Sequence, residues 1–144
     1  EIVSRDWSSD VCSSDLFRDI DMHGHMHNAA HVSHFEAAIS HFIRFESLSE
    51  HFSPAGPFLF HVRKVEVQFS APSYYDDQVE ITCGVGRLGR SSLEFTLRMT
   101  GADDTLRATA GIVWVCVDRQ SSVPTAVSDE LRAMLEPHII PQNP

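Results

Sequence analysis

The 144-residue chain has no hydrophobic run approaching the roughly 20 residues needed to cross a bilayer, so no transmembrane helix is expected. It also lacks a basic excess. Eleven Lys and Arg stand against twenty Asp and Glu, a formal charge of −9, which argues against the basic face that nucleic acids require. Cysteine is scarce, three in all, too few for a disulfide framework. Cys83 and Cys116 fall in strand-like apolar runs and read as small buried hydrophobes in a reducing, cytoplasmic compartment. Repeats and internal linkers are absent. With 42% hydrophobic residues, the length suits one domain around one core.

Residues 1–16 stand apart. The run DWSSDVCSSDL, Asp6 to Leu16, is what a common short-read sequencing adapter encodes when translated, and the residues before it fit an adjoining index. We therefore read 1–16 as a non-native tail, 17–137 as the folded domain and 138–144 as a C-terminal tail. Setting aside Glu1, Asp6, Asp10, Asp15 and Arg5 brings the charge to about −6. On this reading the first strand is truncated, and only its end survives in LFRDID, Leu16 to Asp21.

Beyond Asn28, a candidate helix cap, the residues Val32, Phe35, Ile39, Phe42 and Ile43 recur at helical spacing. They predict one helix from about Asn28 to Glu50, stopped by SPAGP at Ser53–Pro57. Period-two alternation follows. Val65, Val67 and Phe69 alternate with Lys64, Glu66 and Gln68; then come Val79, Ile81, Cys83 and Val85, and Leu93, Phe95, Leu97 and Met99. Turns are expected at Gly86–Ser92 and at Gly101–Asp104. Leu106–Val117 is nearly all apolar or small, as in a strand covered on both faces. Val127–Pro137 reads as a short helix capped by Ser128. One long apolar helix against one antiparallel sheet is an α+β two-layer domain in the order β-α-β-β-β-β; curled around the helix, such a sheet makes a hotdog fold.

The stretch DIDMHGHMHNAAH, Asp19 to His31, holds four histidines, two aspartates and a glycine just ahead of the helix. His23, His25, His27 and His31 with Asp21 are chemically able to ligate zinc, in a His-rich metal-dependent hydrolase. His34 follows on the helix, and His41, seven residues later, shares its face toward solvent; His51, His61 and His138 show no ligand spacing. Alternatively, Asp21 ends a strand beside a helix N-terminus, whose unpaired amides carry partial positive charge. A carbonyl over those amides would be polarised, and the carboxylate would activate water or attack. Spacing alone leaves a third role open for Asp21, binding loop amides ahead of the helix.

The stretch DIDMHGHMHNAAHVSHFEAA resembles the D-x-D-x-x-G-H-V-x-N-x-x-Y-x-x-x-F-E-x-A signature of 4-hydroxybenzoyl-CoA thioesterase-like hotdog proteins. KVEVQFSAPSYYDDQVEITCGVGRLGRSSLEF and ATAGIVWVCVD are similar to that family's later strands, so the likeness runs from Phe17 to about Leu135. The resemblance implies hydrolysis of a small or medium acyl-CoA, with Asp21 as general base or nucleophile and His25 and Asn28 in the catalytic loop. Gly24 matches the glycine that turns the loop, and Glu36 the glutamate inside the helix. His27 and His31 depart from the pattern, His31 where tyrosine is common, and Ser40 stands near an expected arginine. These positions are expected to shape the acyl pocket. A basic rim for the coenzyme A phosphates is sought in Arg63, Lys64, Arg87 and Arg90, with Ser91 and Ser92 as donors. No metal or other cofactor is implied. The resemblance further implies a homodimer or homotetramer, with Phe58–Phe60 and Tyr74–Asp77 as candidate partner-facing segments. The other reading is a non-catalytic module that binds acyl-CoA or an acyl carrier.

Overall fold

The computed structural model describes residues 7–11, 20–22, 24–74 and 77–141. Five strands form one antiparallel sheet: β1 (Trp7–Val11), β2 (Phe58–Phe69), β3 (Val79–Leu88), β4 (Ser92–Gly101) and β5 (Leu106–Asp118). They lie in the order β1-β3-β4-β5-β2. The helix α1 (Asn28–Phe45) packs on the inner face, and a short α2 (Asp129–Leu135) follows the sheet. The α+β two-layer arrangement read from the sequence is the one observed.

Alternation explains the core. Ile81, Cys83 and Val85 of β3 point inward, as do Leu93, Phe95, Leu97 and Met99 of β4 and Ala108, Ala110, Ile112 and Cys116 of β5. They meet Phe35, Ala38, Ile39 and Phe42 of α1, all nearly or fully excluded from solvent. Each such large side chain contributes about 1.5–3 kcal/mol by leaving water. The small Ala108 and Ala110 of β5 are buried in the same core, and the helix backbone lies nearest β3 and β1. Ser128 caps α2 as expected, its hydroxyl accepting from the Leu131 amide at 3.2 Å.

Three details differ from the sequence reading. The helix ends at Phe45, not near Glu50. Ser47 adopts φ +60°, the Ser47 amide donates to the Arg44 carbonyl, and the Leu48 amide donates to the Ile43 carbonyl. This is a Schellman stop, and a separate 3-10 turn covers Ser49–Phe52. Second, β1 is built from Trp7–Val11, within the segment read as non-native, and pairs with Val79–Cys83. The expected strand end at Leu16–Asp19 lies outside the described residues. Third, β2 does not bury a whole face. Val67 packs against the core, while Val62, Val65 and Phe69 remain exposed. Among the described residues it is an edge strand that pairs with β5 alone, and most of its side chains stay exposed.

Candidate active site

Asp21 sits in a tight hairpin between Ile20 and Met26, which face each other across an isolated bridge. The Asp21 amide donates to the His25 carbonyl (2.8 Å), and the Gly24 amide donates to the Asp21 carbonyl (3.0 Å). Gly24 closes the turn at φ +79°, a conformation that L side chains disfavour. The His25 amide donates to Asp21 Oδ1 at 3.3 Å, which fixes one carboxylate oxygen beside the turn. Asp21 itself is half-buried.

A second segment braces this hairpin. The Met26 amide donates to the Ser73 carbonyl at 2.7 Å. His25 bridges Tyr74, and their rings meet edge-on at 5.0 Å. Met26 and Ala30 are buried together with Ile20 against them, a small apolar plug that anchors the turn to the start of α1.

Asn28 is not the cap that its side chain suggests. His27 occupies that position in extended conformation, and its side chain makes no cap hydrogen bond. No acid stands in the first turn either. The first turn of α1 and its cap residue therefore offer no side chain to offset the positive end of the helix dipole, and that cap follows by two residues the His25 amide that holds Asp21 Oδ1.

The histidines do not converge. His25 stacks on Tyr74, whereas His31 turns inward, 3% exposed, against Phe69 at 4.9 Å. The His31 ring Nδ1 lies 3.2 Å from the His27 carbonyl, and its Nε2 is buried with no hydrogen-bond partner among the described residues. Burial is the main force on its pKa, pushing it below the ordinary value; the bond to His27 opposes this and the nearby His34 and His27 add to it. Among the described residues, no three His, Cys, Asp or Glu side chains gather as a metal-binding group. His23 lies outside them. Glu36, two turns into α1, is half-buried, and burial raises its carboxyl pKa.

A profile of the thioesterase-like superfamily matches residues 16–135. The chain belongs to the thioesterase-like superfamily. It is 32% identical over 117 residues to the acyl-CoA thioester hydrolase YbgC of Escherichia coli strain CFT073, covering 81% of this chain and 87% of that protein. In three dimensions it resembles a predicted thioesterase from Bacillus stearothermophilus, with a TM-score of 0.82 at 18% identity over 96% of this chain and 99% of that one. It also resembles a 1,4-dihydroxy-2-naphthoyl-CoA thioesterase from Synechocystis, with a TM-score of 0.80 at 14% identity over 90% and 95% of the two chains. These two structures bear on the fold alone.

Within this superfamily member, the sequence-predicted site residues separate into two groups. Asp21, Gly24, His25, His27 and Asn28 lie together, with His31 and Glu36 further along α1. Arg90, Ser91 and Ser92 do not join them. They sit at the β3–β4 turn, where Ser92 pairs with Val115 of β5, while the loop bracing Asp21 leaves β2 opposite Ala108 of β5. Seven residues of strand, about 23 Å, separate the two ends. Arg63 and Lys64 fall midway along the exposed edge of β2. A groove of about 420 Å³ lined by Ile43, Arg44, Phe52, Phe60 and Trp114 lies at the far end of α1, and Asp21 does not line it. That groove mixes Phe52, Phe60 and Trp114 with Ser40, Ser49, Ser53 and Arg44, and among the described residues no carboxylate lines it. Sequence reasoning did not reach Ser73 or Arg107, which brace the loop from more than 45 residues away. That segment entered the sequence reading only as Tyr74–Asp77, a candidate partner-facing stretch.

Proposed function

We propose that the chain hydrolyses acyl-CoA thioesters, with Asp21 as general base or nucleophile. The observation that carries this reading is the Asp21 carboxylate, tethered by the His25 amide at the uncapped N-terminus of α1. The thioester carbonyl lies over the first-turn amides of Asn28 and Ala29, which draw charge onto its oxygen as the tetrahedral species forms. Asp21 either takes a proton from water attacking the carbonyl carbon or attacks that carbon itself; either route releases coenzyme A as its thiol. His25, Gly24 and Asn28 shape the turn, and His27 and Met22 border the acyl group.

The second part of the proposal is a homodimer through β2. This strand is twelve residues long, its edge is unpaired in the single chain, and Val62, Val65 and Phe69 are exposed along it. Antiparallel pairing of two β2 edges about their centre sets the Phe69 end of one chain beside the Phe58 end of the other. The second chain's β3–β4 turn then comes within about three strand spacings, ~14 Å, of the first chain's β2. In that arrangement Arg90, Ser91 and Ser92 serve the coenzyme A phosphates across the dimer, and Arg63 lies at the seam.

The test is release of free thiol from a panel of acyl-CoAs, with the oligomeric state measured by sedimentation. Asp21→Asn is expected to lower kcat by about 10²–10⁴-fold while the circular dichroism spectrum stays that of the parent. An Asp21→Asn variant that retains turnover overturns the catalytic assignment. Binding without turnover by the parent identifies a non-catalytic module instead.

A further inference from the structure

We propose that Arg107 is a positioning residue for hydrolysis, which holds the Asp21 turn in register by clamping the Pro72–Tyr74 segment against which that turn is hydrogen-bonded. The inference rests on the reading of Asp21 as the catalytic acid.

Arg107 stands at the start of β5, and its side chain is only 12% exposed. An arginine is rarely so buried without specific partners. Its Nη1 donates to the Pro72 carbonyl and to Asp77 Oδ2, the latter at 3.3 Å. Its Nη2 lies 3.6 Å from the Asp103 carboxylate. Its backbone carbonyl accepts from the amides of Ser70 and Ala71. One residue thus grips both ends of the segment after β2. Asp77 Oδ2 also accepts from the Tyr74 amide at 2.8 Å, so the same carboxylate oxygen ties the guanidinium to Tyr74.

From there the path to the acid is short. The Ser73 carbonyl takes the Met26 amide, Tyr74 stacks on His25, and the His25 amide donates to Asp21 Oδ1. Removing the guanidinium releases Pro72 and half of the partners of Asp77, and the brace behind His25 and Met26 loosens.

The fold reserves a place for this guanidinium. A Cβ at Gly101 would fall 2.5 Å from Arg107 Nη2 and 2.8 Å from Nε. Gly101 shows no positive φ, so close approach accounts for the glycine. Surface ion pairs need no such seat. The role assigned to Arg107 is positioning, since its Nη1 reaches the Asp21 turn through Pro72 and Asp77.

The experiment compares Arg107→Met, Arg107→Lys and Gly101→Ala with the parent in full-length protein. Steady-state kinetics are normalised to folded protein, and backbone hydrogen exchange is followed in the peptide covering 20–27. Arg107→Met is expected to lose about 10–100-fold in kcat with KM within roughly threefold, the scale of an ångström-level misplacement. Exchange in the 20–27 peptide rises while that in β3 does not. Arg107→Lys recovers part of kcat. Gly101→Ala, which removes no polar group but displaces the guanidinium, reproduces the Arg107→Met defect, and it carries the test if Arg107→Met fails to fold. Unchanged kcat in both Arg107→Met and Gly101→Ala overturns the proposal, as does a loss confined to KM. Asp21→Asn is assayed alongside. Full activity there removes the catalytic reading itself, whereas an inactive Asp21→Asn with a fully active Arg107→Met removes only the positioning role.

Discussion

Replacing Gly24 isolates backbone conformation from every other effect at the site. The residue has φ +79°, yet a Cβ built on it meets nothing within 4 Å. Gly24→Ala therefore adds no clash, only the cost of holding an L residue in the left-handed region, about 1–2 kcal/mol. Among the described residues, three hydrogen bonds link one side of the hairpin to the other, Asp21 to His25, Gly24 to Asp21, and His25 to the Asp21 carboxylate. At roughly 1 kcal/mol net each, the strain matches one or two of them. The turn is thus expected to open locally rather than unfold the domain. A penalty of that size lowers the population of the competent turn by about 5–30-fold, which bounds the expected loss in kcat/KM. If the strain is retained instead, the melting temperature drops by roughly 3–7 °C for a chain of this length. Gly24→Asn supplies the control, because asparagine tolerates positive φ, and it is expected to keep most of the activity. Thiol-release kinetics and thermal melts on the parent and both variants decide the matter. Asparagine and alanine variants that are equally impaired would show that the side chain itself, not the backbone, is at fault; alanine with full activity would show that the turn is irrelevant to turnover.

Two further outcomes follow from charge and from the outer strand. Burial lowers the His31 pKa, so below the ordinary value near 6.5 the unfolded chain takes up a proton that the folded chain does not. Stability is accordingly lost as pH falls through that value, and His31→Leu is expected to flatten the dependence of the urea midpoint on pH between 7.5 and 5.5; parallel curves for parent and variant would contradict this. The Trp-Ser-Ser-Asp-Val composition of β1 is a poor strand former. Replacing residues 1–16 with the corresponding strand of a relative is expected to raise the melting temperature, and equal midpoints would refute that.

What the sequence made legible was local. β3 and β4 announced themselves because each has one face toward the core, so period two is written directly in Val79 to Val85 and Leu93 to Met99. β5 was legible from its unbroken run of apolar and small residues, although in the fold much of it alternates between buried and half-buried positions rather than burying both faces. The early end of α1 was not legible, because the left-handed residue that stops it is Ser47 rather than glycine or asparagine. Asn28 misled for a related reason: the chain enters the helix one residue sooner, and His27 takes the boundary position. The exposure of Val62, Val65 and Phe69 followed from the position of β2 at the sheet edge, and alternation carries no information about which strand lies outermost. In the site, the acid and its glycine belong to one short motif. The brace behind them joins Met26 to Ser73 and Pro72 to Arg107, and pairings across 35 residues or more leave no periodic trace.

The two borders of the sheet are unequal. Along β3, Trp7–Val11 lies against Val79–Cys83, and the Ile140 amide donates to the Val85 carbonyl while the Ile140 side chain rests over Gly84. β1 is itself an edge, but it spans five residues, whereas the β2 edge offers a ladder of twelve. Two chains joined through β2 about a two-fold axis, as proposed, would each cover the other's longest ladder and leave only the short β1 edges, a poor template for further strand-to-strand growth into fibres.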